Sequence, residues 1–357
     1  MASRTRFITL TITFCVCSLV ASILAAFEVH GAIAQKWQSL GGVGGFLRQP
    51  LTNETTTPDG VGRFNHFEGG SIYWTPATEA HEVHGYIRDK WASLGWERSE
   101  LGYPISDELD MGDKRGRLSN FQAGTIYWSD KSGAHLLRRD VKAKWILLKG
   151  SGGFLGYPIE DESPAPDKIG RYAHFEGGSI YWSPTTGAHE VHGDIRDKWQ
   201  SLGSERSFLR YPISDETDMH DGRGRFSDFQ GGTIYWSDKT GAHSMYGQVK
   251  PKWIALGGAR TFGYPTSDES LTPDQRGHYV HFELGSIYWT AATGAHEVHG
   301  NIRDKWESLG WERGPLGYPI SDEFQDGAYR RSNFQHGFIR WSAETGAVVS
   351  RSGGKID

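Results

Sequence analysis

Hydrophobic and polar positions along this chain switch between two periods, and the switch recurs about every 54 residues. In Asp194-Ile195-Arg196-Asp197-Lys198-Trp199-Gln200-Ser201-Leu202-Gly203 the apolar residues fall at i, i+4 and i+7, with Asp placed to cap and Gly to stop. This spacing predicts a short helix of about two turns. Leu209-Arg210-Tyr211-Pro212-Ile213-Ser214-Asp215-Glu216 follows, where proline forces extended or turn geometry, and then a Gly/Asp-rich turn ending at Gly224. From Arg225 the period drops to two: Arg-Phe-Ser-Asp-Phe, a Gly231-Gly232 turn, Thr-Ile-Tyr-Trp-Ser, a Lys239-Thr240-Gly241 turn, and Ala-His-Ser-Met-Tyr. Three short strands in a meander fit this stretch.

Two tryptophan series mark the copies: Trp37, Trp91, Trp145, Trp199, Trp253 and Trp306 in the helices, and Trp74, Trp128, Trp182, Trp236, Trp289 and Trp341 in the strands. One unit is therefore written six times, over approximately 27–85, 86–139, 140–193, 194–247, 248–300 and 301–357. A helix plus a three-strand meander cannot bury both faces of its small sheet alone, so neighbouring units must share a core. The expected fold is mainly β with short helices, in a propeller-like pseudo-symmetric ring, with an open solenoid as the alternative. Closure removes exposed end units, and the sixth unit is aberrant where a closing or capping unit belongs, carrying Arg340 where the other five have Tyr.

Composition narrows the picture. Aromatics reach 13%, Gly numbers 47 and only 37% of residues are hydrophobic, which suits short strands, tight turns and cores filled by rings. The formal charge of −5 gives no footing for nucleic acid. Residues 1–26 read as a signal peptide or an uncleaved anchor: Arg4 and Arg6 precede an apolar run from Phe7 to Phe27. Cleavage after Ala26 leaves Phe27-Glu28-Val29-His30-Gly31, which repeats the later phrase His-Glu-Val-His-Gly, whereas cleavage after Ala34 discards it. Cys15 and Cys17 lie in the leader, so the mature chain is expected to have no disulfide and no thiol chemistry. Beyond that leader no membrane segment is expected, and the oligomeric state is left open.

Leu101-Gly102-Tyr103-Pro104, Leu155-Gly156-Tyr157-Pro158 and Leu316-Gly317-Tyr318-Pro319 resemble the LGFP tandem repeats, with Tyr in place of Phe. The downstream Gly-Arg, Phe and Gly-x-Ile-Tyr-Trp elements are similar too, and the likeness covers essentially all of the chain after the leader. It implies an exported protein of the actinobacterial type, a propeller-like arrangement and attachment to envelope polysaccharide. Two departures stand out: unit one has Phe46-Leu47-Arg48-Gln49-Pro50 and unit four Leu209-Arg210-Tyr211-Pro212, and no enzyme accompanies the repeats.

Sugars are held by aromatic rings against their C–H faces and by carboxylates, amides and Arg at their hydroxyls. The helix tryptophans sit on an apolar face and read as core. In the strands, alternation puts Ile234 and Trp236 on one face and Tyr235 on the other. The larger ring favours core, leaving Tyr73, Tyr127, Tyr181, Tyr235 and Tyr288 as the candidate wet surface. Further candidates are the Gly-Tyr-Pro tyrosines and Tyr211 (Tyr103, Tyr157, Tyr211, Tyr264, Tyr318), the glutamates ending the following turn (Glu108, Glu162, Glu216, Glu269, Glu323) and the strand-opening arginines Arg117, Arg171 and Arg225. A plainer reading has Glu108 capping a turn or pairing with Arg117.

A finer period lies beneath the first. Units one, three and five carry His-Phe-Glu (His66, His174, His281) and end in His-Glu-Val-His-Gly, at His81 to Gly85, His189 to Gly193 and His296 to Gly300, so the repeat is a pair and sites could number three or six. Metal is not expected, because strand His beside an acid more often forms a hydrogen-bonded pair, and the Asp turns lack calcium-loop spacing. No cofactor is expected. Catalysis needs one asymmetric constellation, whereas most acids here have siblings in other units. The expected function is a secreted, multivalent binder of cell-wall polysaccharide or another glycan, possessing no catalytic residues; a structural or protein-binding scaffold is the alternative, and glycoside chemistry ranks below both.

Overall fold

The computed structural model describes residues 27–351 and 354–355. The leader reading and the two cysteines lie outside the described residues. Among the described residues, no helix is long and apolar enough to cross a membrane.

Unit four shows how the sequence folds. Ile195 and Trp199 bury one side of the helix Gly193–Ser201, and Gly203, at φ +109°, ends it in a left-handed turn where any side chain would be strained. A single 3-10 turn, Ser204–Arg206, leads to the Tyr-Pro bend, where Pro212 bridges Phe229 at the end of the next long strand. The sheet then runs Thr217–Asp218, Gly224–Phe229, Gly232–Ser237 and Gly241–Met245 in antiparallel order. Each unit thus has four strands rather than three. The added strand is the short segment after the glutamate, here Thr217 against Phe226 and Asp218 against Arg225. Two residues between an acidic turn and a Gly/Asp loop carry too little periodicity to be recognised. The other units repeat the plan, and the sixth adds a fifth short strand, Gly354–Lys355.

The six sheets form a propeller-like or solenoidal series in which each helix after the first is sandwiched between its own sheet and the preceding one. Trp199, for example, lies among Ile234 and Phe229 of its own unit and Tyr181 of unit three. The ring of that tyrosine meets the indole edge-on at 4.6 Å. The same Tyr–Trp contact closes all five junctions, pairing Tyr73 with Trp91, Tyr127 with Trp145, Tyr235 with Trp253 and Tyr288 with Trp306. Gly224 belongs to this contact system as well, since a Cβ there would sit 2.5 Å from the Tyr264 ring of the next unit.

These contacts reverse one expectation. Tyr73, Tyr127, Tyr181, Tyr235 and Tyr288 are buried, while the six strand tryptophans are only partly covered. The next unit's helix lands on the tyrosine face, so both faces of the sheet are packed, and strand alternation alone does not say which face is wet. Tyr103, Tyr157, Tyr211, Tyr264 and Tyr318 are buried too. Each places its hydroxyl on an aspartate of the preceding unit: Tyr103 on Asp59 at 2.7 Å, Tyr157 on Asp113, Tyr211 on Asp167, Tyr264 on Asp221 and Tyr318 on Asp274. All ten candidate tyrosines therefore serve junctions between units and do not form the open aromatic surface expected of them.

A second polar clamp repeats alongside. A helix lysine reaches the aspartate of the next unit's turn: Lys36 to Asp107 at 2.8 Å, Lys90 to Asp161 at 2.5 Å, then Lys144 to Asp215, Lys198 to Asp268 and Lys252 to Asp322. Burial opposes the charge on Asp215, but hydrogen bonds from His189, Lys144 and the Glu190 N–H outweigh it and hold the carboxyl at about 2.

The junction residues change at the two ends. Unit one has Gln49 where later units have the docking tyrosine and Asn53 where they have the clamped aspartate, and Trp37 is partly exposed. Unit six has Arg340, whose guanidinium lies 4.4 Å from the Tyr329 ring instead of facing a helix tryptophan. Residues 28–30 stand in for the last strand of a preceding sheet. The Glu28 N–H donates to Asn53 Oδ1 as the Glu82 N–H does to Asp107, and the His30 N–H donates to Glu54 as the Arg138 N–H does to Glu162.

Candidate functional site

The partly exposed strand tryptophan has the same neighbours in every unit. Across the ladder it pairs with the residue that opens the adjacent strand: Arg63 with Trp74, Arg117 with Trp128, Arg171 with Trp182, Arg225 with Trp236, His278 with Trp289 and Arg330 with Trp341. Paired strand residues project on the same face, so each indole lies beside a cationic or imidazole group. Below them is the turn glutamate, which is buried. Glu162 accepts from Arg171 Nε at 2.6 Å and from the Arg138 N–H at 2.6 Å, and Arg330 meets Glu323 at 2.8 Å. Glu54, Glu108 and Glu216 pair in the same way with Arg63, Arg117 and Arg225. The glutamates and arginines expected from the sequence do come together, as ion pairs that seat each arginine beside its tryptophan.

At units two, four and six the preceding odd unit adds a histidine. His84 Nδ1 lies 2.7 Å from Glu82 and its Nε2 3.3 Å from Glu108, giving a chain Glu82–His84–Glu108–Arg117. His192 bridges Glu190 and Glu216, and His299 bridges Glu297 and Glu323, with the same geometry. Burial works against the charge on His84, but the hydrogen bond and charge of Glu82, with the charge of Glu108, hold it above its ordinary value. Burial likewise pushes Glu108 up, against the pull of His84 and Arg117. The pairwise period of the sequence appears here as three equivalent four-residue chains.

Open space lies beside two of the tryptophans. A cleft of about 460 Å³ is lined by Glu100, Arg138, Glu162, Arg171 and Trp182, and one of about 390 Å³ by His30, Glu54, Arg63 and Trp74. In unit two the corresponding indole is covered by Tyr86, stacked on Trp128 at 5.5 Å and 9°. Exposed phenylalanines flank the histidine positions: Phe46 lies 4.9 Å from His84 and Phe154 4.8 Å from His192. The sequence singled out the acid and the arginine; it missed the strand tryptophans, assigned to the core, and the phenylalanines. The signal for these was the Arg-to-Trp register, which follows only once the Gly-Gly turn is aligned. Among the described residues no group of three or more His, Cys, Asp or Glu is placed to hold a metal ion.

Unit five breaks the pattern. Here His278 replaces the arginine, and Tyr246 and Ser244 stand where unit three's site has Arg138 and Leu136, so Glu269 is buried with a Tyr246 N–H at 2.7 Å and His278 at 3.7 Å. Burial, only partly countered by that N–H, pushes its carboxyl up from 4.5 to about 7. Between those values the folded form keeps a proton that the unfolded chain has lost. The stabilisation is therefore complete below about pH 4.5 and gone once the pH passes about 7. Glu269→Gln is expected to match the parent in stability at pH 4.5 and to exceed it at pH 8 by up to roughly 3 kcal/mol, seen as a higher melting temperature. Thermal melts at both pH values test this, and an equal difference at both would contradict it.

Comparison with known proteins places the repeats. The family model described as LGFP repeat matches residues 48–99, 101–153, 155–207, 209–260, 262–314 and 316–356. No curated protein matches. Among solved structures, virginiamycin B lyase from Staphylococcus aureus is similar at 7% identity, covering 85% of this chain and 84% of that one, with a TM-score of 0.12. The CNH domain of AfRom2 is similar at 8% identity over 84% of each chain, with a TM-score of 0.16. The extracellular domain of a hybrid two-component system from B. thetaiotaomicron is similar at 11% identity over 85% of this chain and 40% of that one, with a TM-score of 0.14. Likenesses this weak carry no argument about function. The six matches run in phase with the six sheets from Arg48 almost to the end, and by them the chain belongs to the LGFP repeat family.

Proposed function

We propose that this protein is a multivalent glycan-binding protein acting outside the cell, with its sites on the strand-tryptophan face. The observation that carries this reading is the repeated pairing of a partly exposed indole with an arginine seated on a buried glutamate, open to clefts beside Trp74 and Trp182. An indole offers a flat apolar surface to the C–H face of a pyranose, while a guanidinium donates to its hydroxyls. Shallow sites of this kind bind weakly one at a time. Several on one rigid array, meeting a polymer that repeats the same sugar, combine through effective concentration. Action outside the cell rests on the charged start and apolar run of the leader, Arg4 and Arg6 before Phe7–Phe27. Cell-wall polysaccharide is the ligand class that the family resemblance favours.

The test is a glycan array probed with the purified chain from residue 27, carrying bacterial envelope and fungal polysaccharides. Binding to one polymer class, lost on competition with that polymer and leaving no new reducing ends, is the expected outcome. Silence across the array sinks the proposal, and new reducing ends would move the protein into the class of glycoside-active enzymes.

A further inference from the structure

The three junctions that lead from an odd unit to an even one share their tyrosine, tryptophan and histidine walls, but one of them lacks a ring the other two hold. Between units one and two, Trp96 emerges from the turn after the helix and stacks on Tyr73 at 5.9 Å and 23°. Its ring meets Trp91 edge-on at 5.2 Å, lies 5.8 Å from His66, and has the Arg88 guanidinium 5.3 Å from its face. Between units five and six, Trp311 repeats this with Tyr288, Trp306, His281 and Arg303 at 6.0, 5.1, 5.7 and 5.1 Å.

Between units three and four the same walls stand and the ring is absent. Tyr181, Trp199 and His174 take the places of Tyr73, Trp91 and His66, and Arg196, at the position of Arg88, pairs with Asp197 at 3.3 Å, but the residue in the turn is Ser204. Its backbone is the same left-handed one, φ 55° against 57° at Trp96 and 56° at Trp311, so the turn itself is unchanged. Ala165 also replaces the threonine found at 57 and 272. What remains is a cleft of about 270 Å³, lined by Tyr172, His174, Tyr181, Gln200 and Glu205. The two even-to-odd junctions differ: glycine stands at 150 and 258, and Met111 and Met219 pack against the cores there.

We infer that the cleft between units three and four is a binding site for a flat aromatic ring of the indole type, brought by another molecule. The fit is set by the protein's own example, since two sibling clefts hold an indole of this chain in a cage of tyrosine, tryptophan, histidine and arginine. An aromatic guest gains offset stacking on Tyr181 and an edge contact with Trp199, and draws Arg196 from Asp197 to the place Arg88 holds over Trp96. This site faces the tyrosine side of the sheets and is independent of the strand-tryptophan sites.

Indole is the probe. Calorimetry with indole, and 19F line broadening of 5-fluoroindole, are to be measured on the chain from residue 27 and on its Ser204→Trp and Ser204→Ala variants. Saturable binding is expected for the parent and for Ser204→Ala, with at least a tenfold loss in Ser204→Trp and a higher melting temperature for that variant as its own ring fills the cage. Absence of indole binding by the parent overturns the inference, as does binding that survives Ser204→Trp. A melting temperature for Ser204→Trp equal to or below the parent's would also overturn it, because the cage would not fit an indole. Binding of a methyl pyranoside in preference to indole would reassign the cleft to sugars.

Discussion

Trp199→Ala is expected to destabilise the array by about 3–5 kcal/mol, whereas Trp37→Ala, at the matching position of unit one, is expected to cost less than half as much. The two differ only in what surrounds them. Trp199 is wholly buried, donates Nε1–H to the Arg210 carbonyl at 3.0 Å, and carries Tyr181 of unit three on one side and Phe229 of its own unit on the other. Its removal opens a cavity and parts two units at once. Trp37 has a similar bond to the Arg48 carbonyl and a contact with Phe67 at 5.6 Å, but its partner cluster contains no tyrosine from another unit and the ring is partly exposed. Because units in an array stabilise one another mainly through neighbours, the loss at Trp199 should also spread. Hydrogen exchange is expected to show reduced protection in units three and four together. Urea unfolding of both variants checks the magnitudes, and equal costs would contradict the junction account.

The second large effect is on binding. Trp182→Ala is expected to weaken binding to a polysaccharide by roughly three- to tenfold, and Trp74→Ala to do the same, while the double variant weakens it by roughly 100-fold or more. A single indole supplies only part of one shallow site, but removing both open clefts lowers the number of simultaneous contacts. Both residues are partly buried and pack against their cores, so each variant should keep the parent's far-UV circular dichroism while losing some stability, and binding is compared well below its melting temperature. Binding measured against both the polymer and a short oligosaccharide separates the terms. The double variant's deficit should be far larger on the polymer, and a deficit of equal size on both ligands would remove avidity from the account.

Much of this architecture is legible in the residues. The switch from a helical period around Trp199 to a strand period after Arg225 gives the order of elements, and the tryptophan spacing gives six units in register. Five of the six helix indoles are core, as their i, i+4 neighbours imply, with Trp37 partly exposed, and Glu162 does meet Arg171. The strand faces were not legible, for a definite reason. Tyr235 and Trp236 differ by one position in a strand covered on both sides, and what decides their exposure is the helix of unit five, more than ten residues away in sequence. The Gly-Tyr-Pro tyrosines misled in the same way: Tyr103 looks like a loop residue until Asp59, 44 positions earlier, is seen to accept its hydroxyl. Contacts between units leave no local periodicity, so only the end units betray them. Gln49, Asn53 and Arg340 each depart from their counterparts in the first and sixth units.

The claim that the strand-tryptophan face meets the ligand can be tested at the indoles themselves. Their N–H resonances, recorded by 15N–1H TROSY on the chain from residue 27 and assigned by substitution, can be followed as the array-selected polysaccharide is added. Shifts are predicted for Trp74, Trp182 and the other strand indoles, with Trp91, Trp145, Trp199, Trp253 and Trp306 unmoved. Shifts confined to other resonances, with the strand indoles unchanged at saturating polysaccharide, would contradict the account.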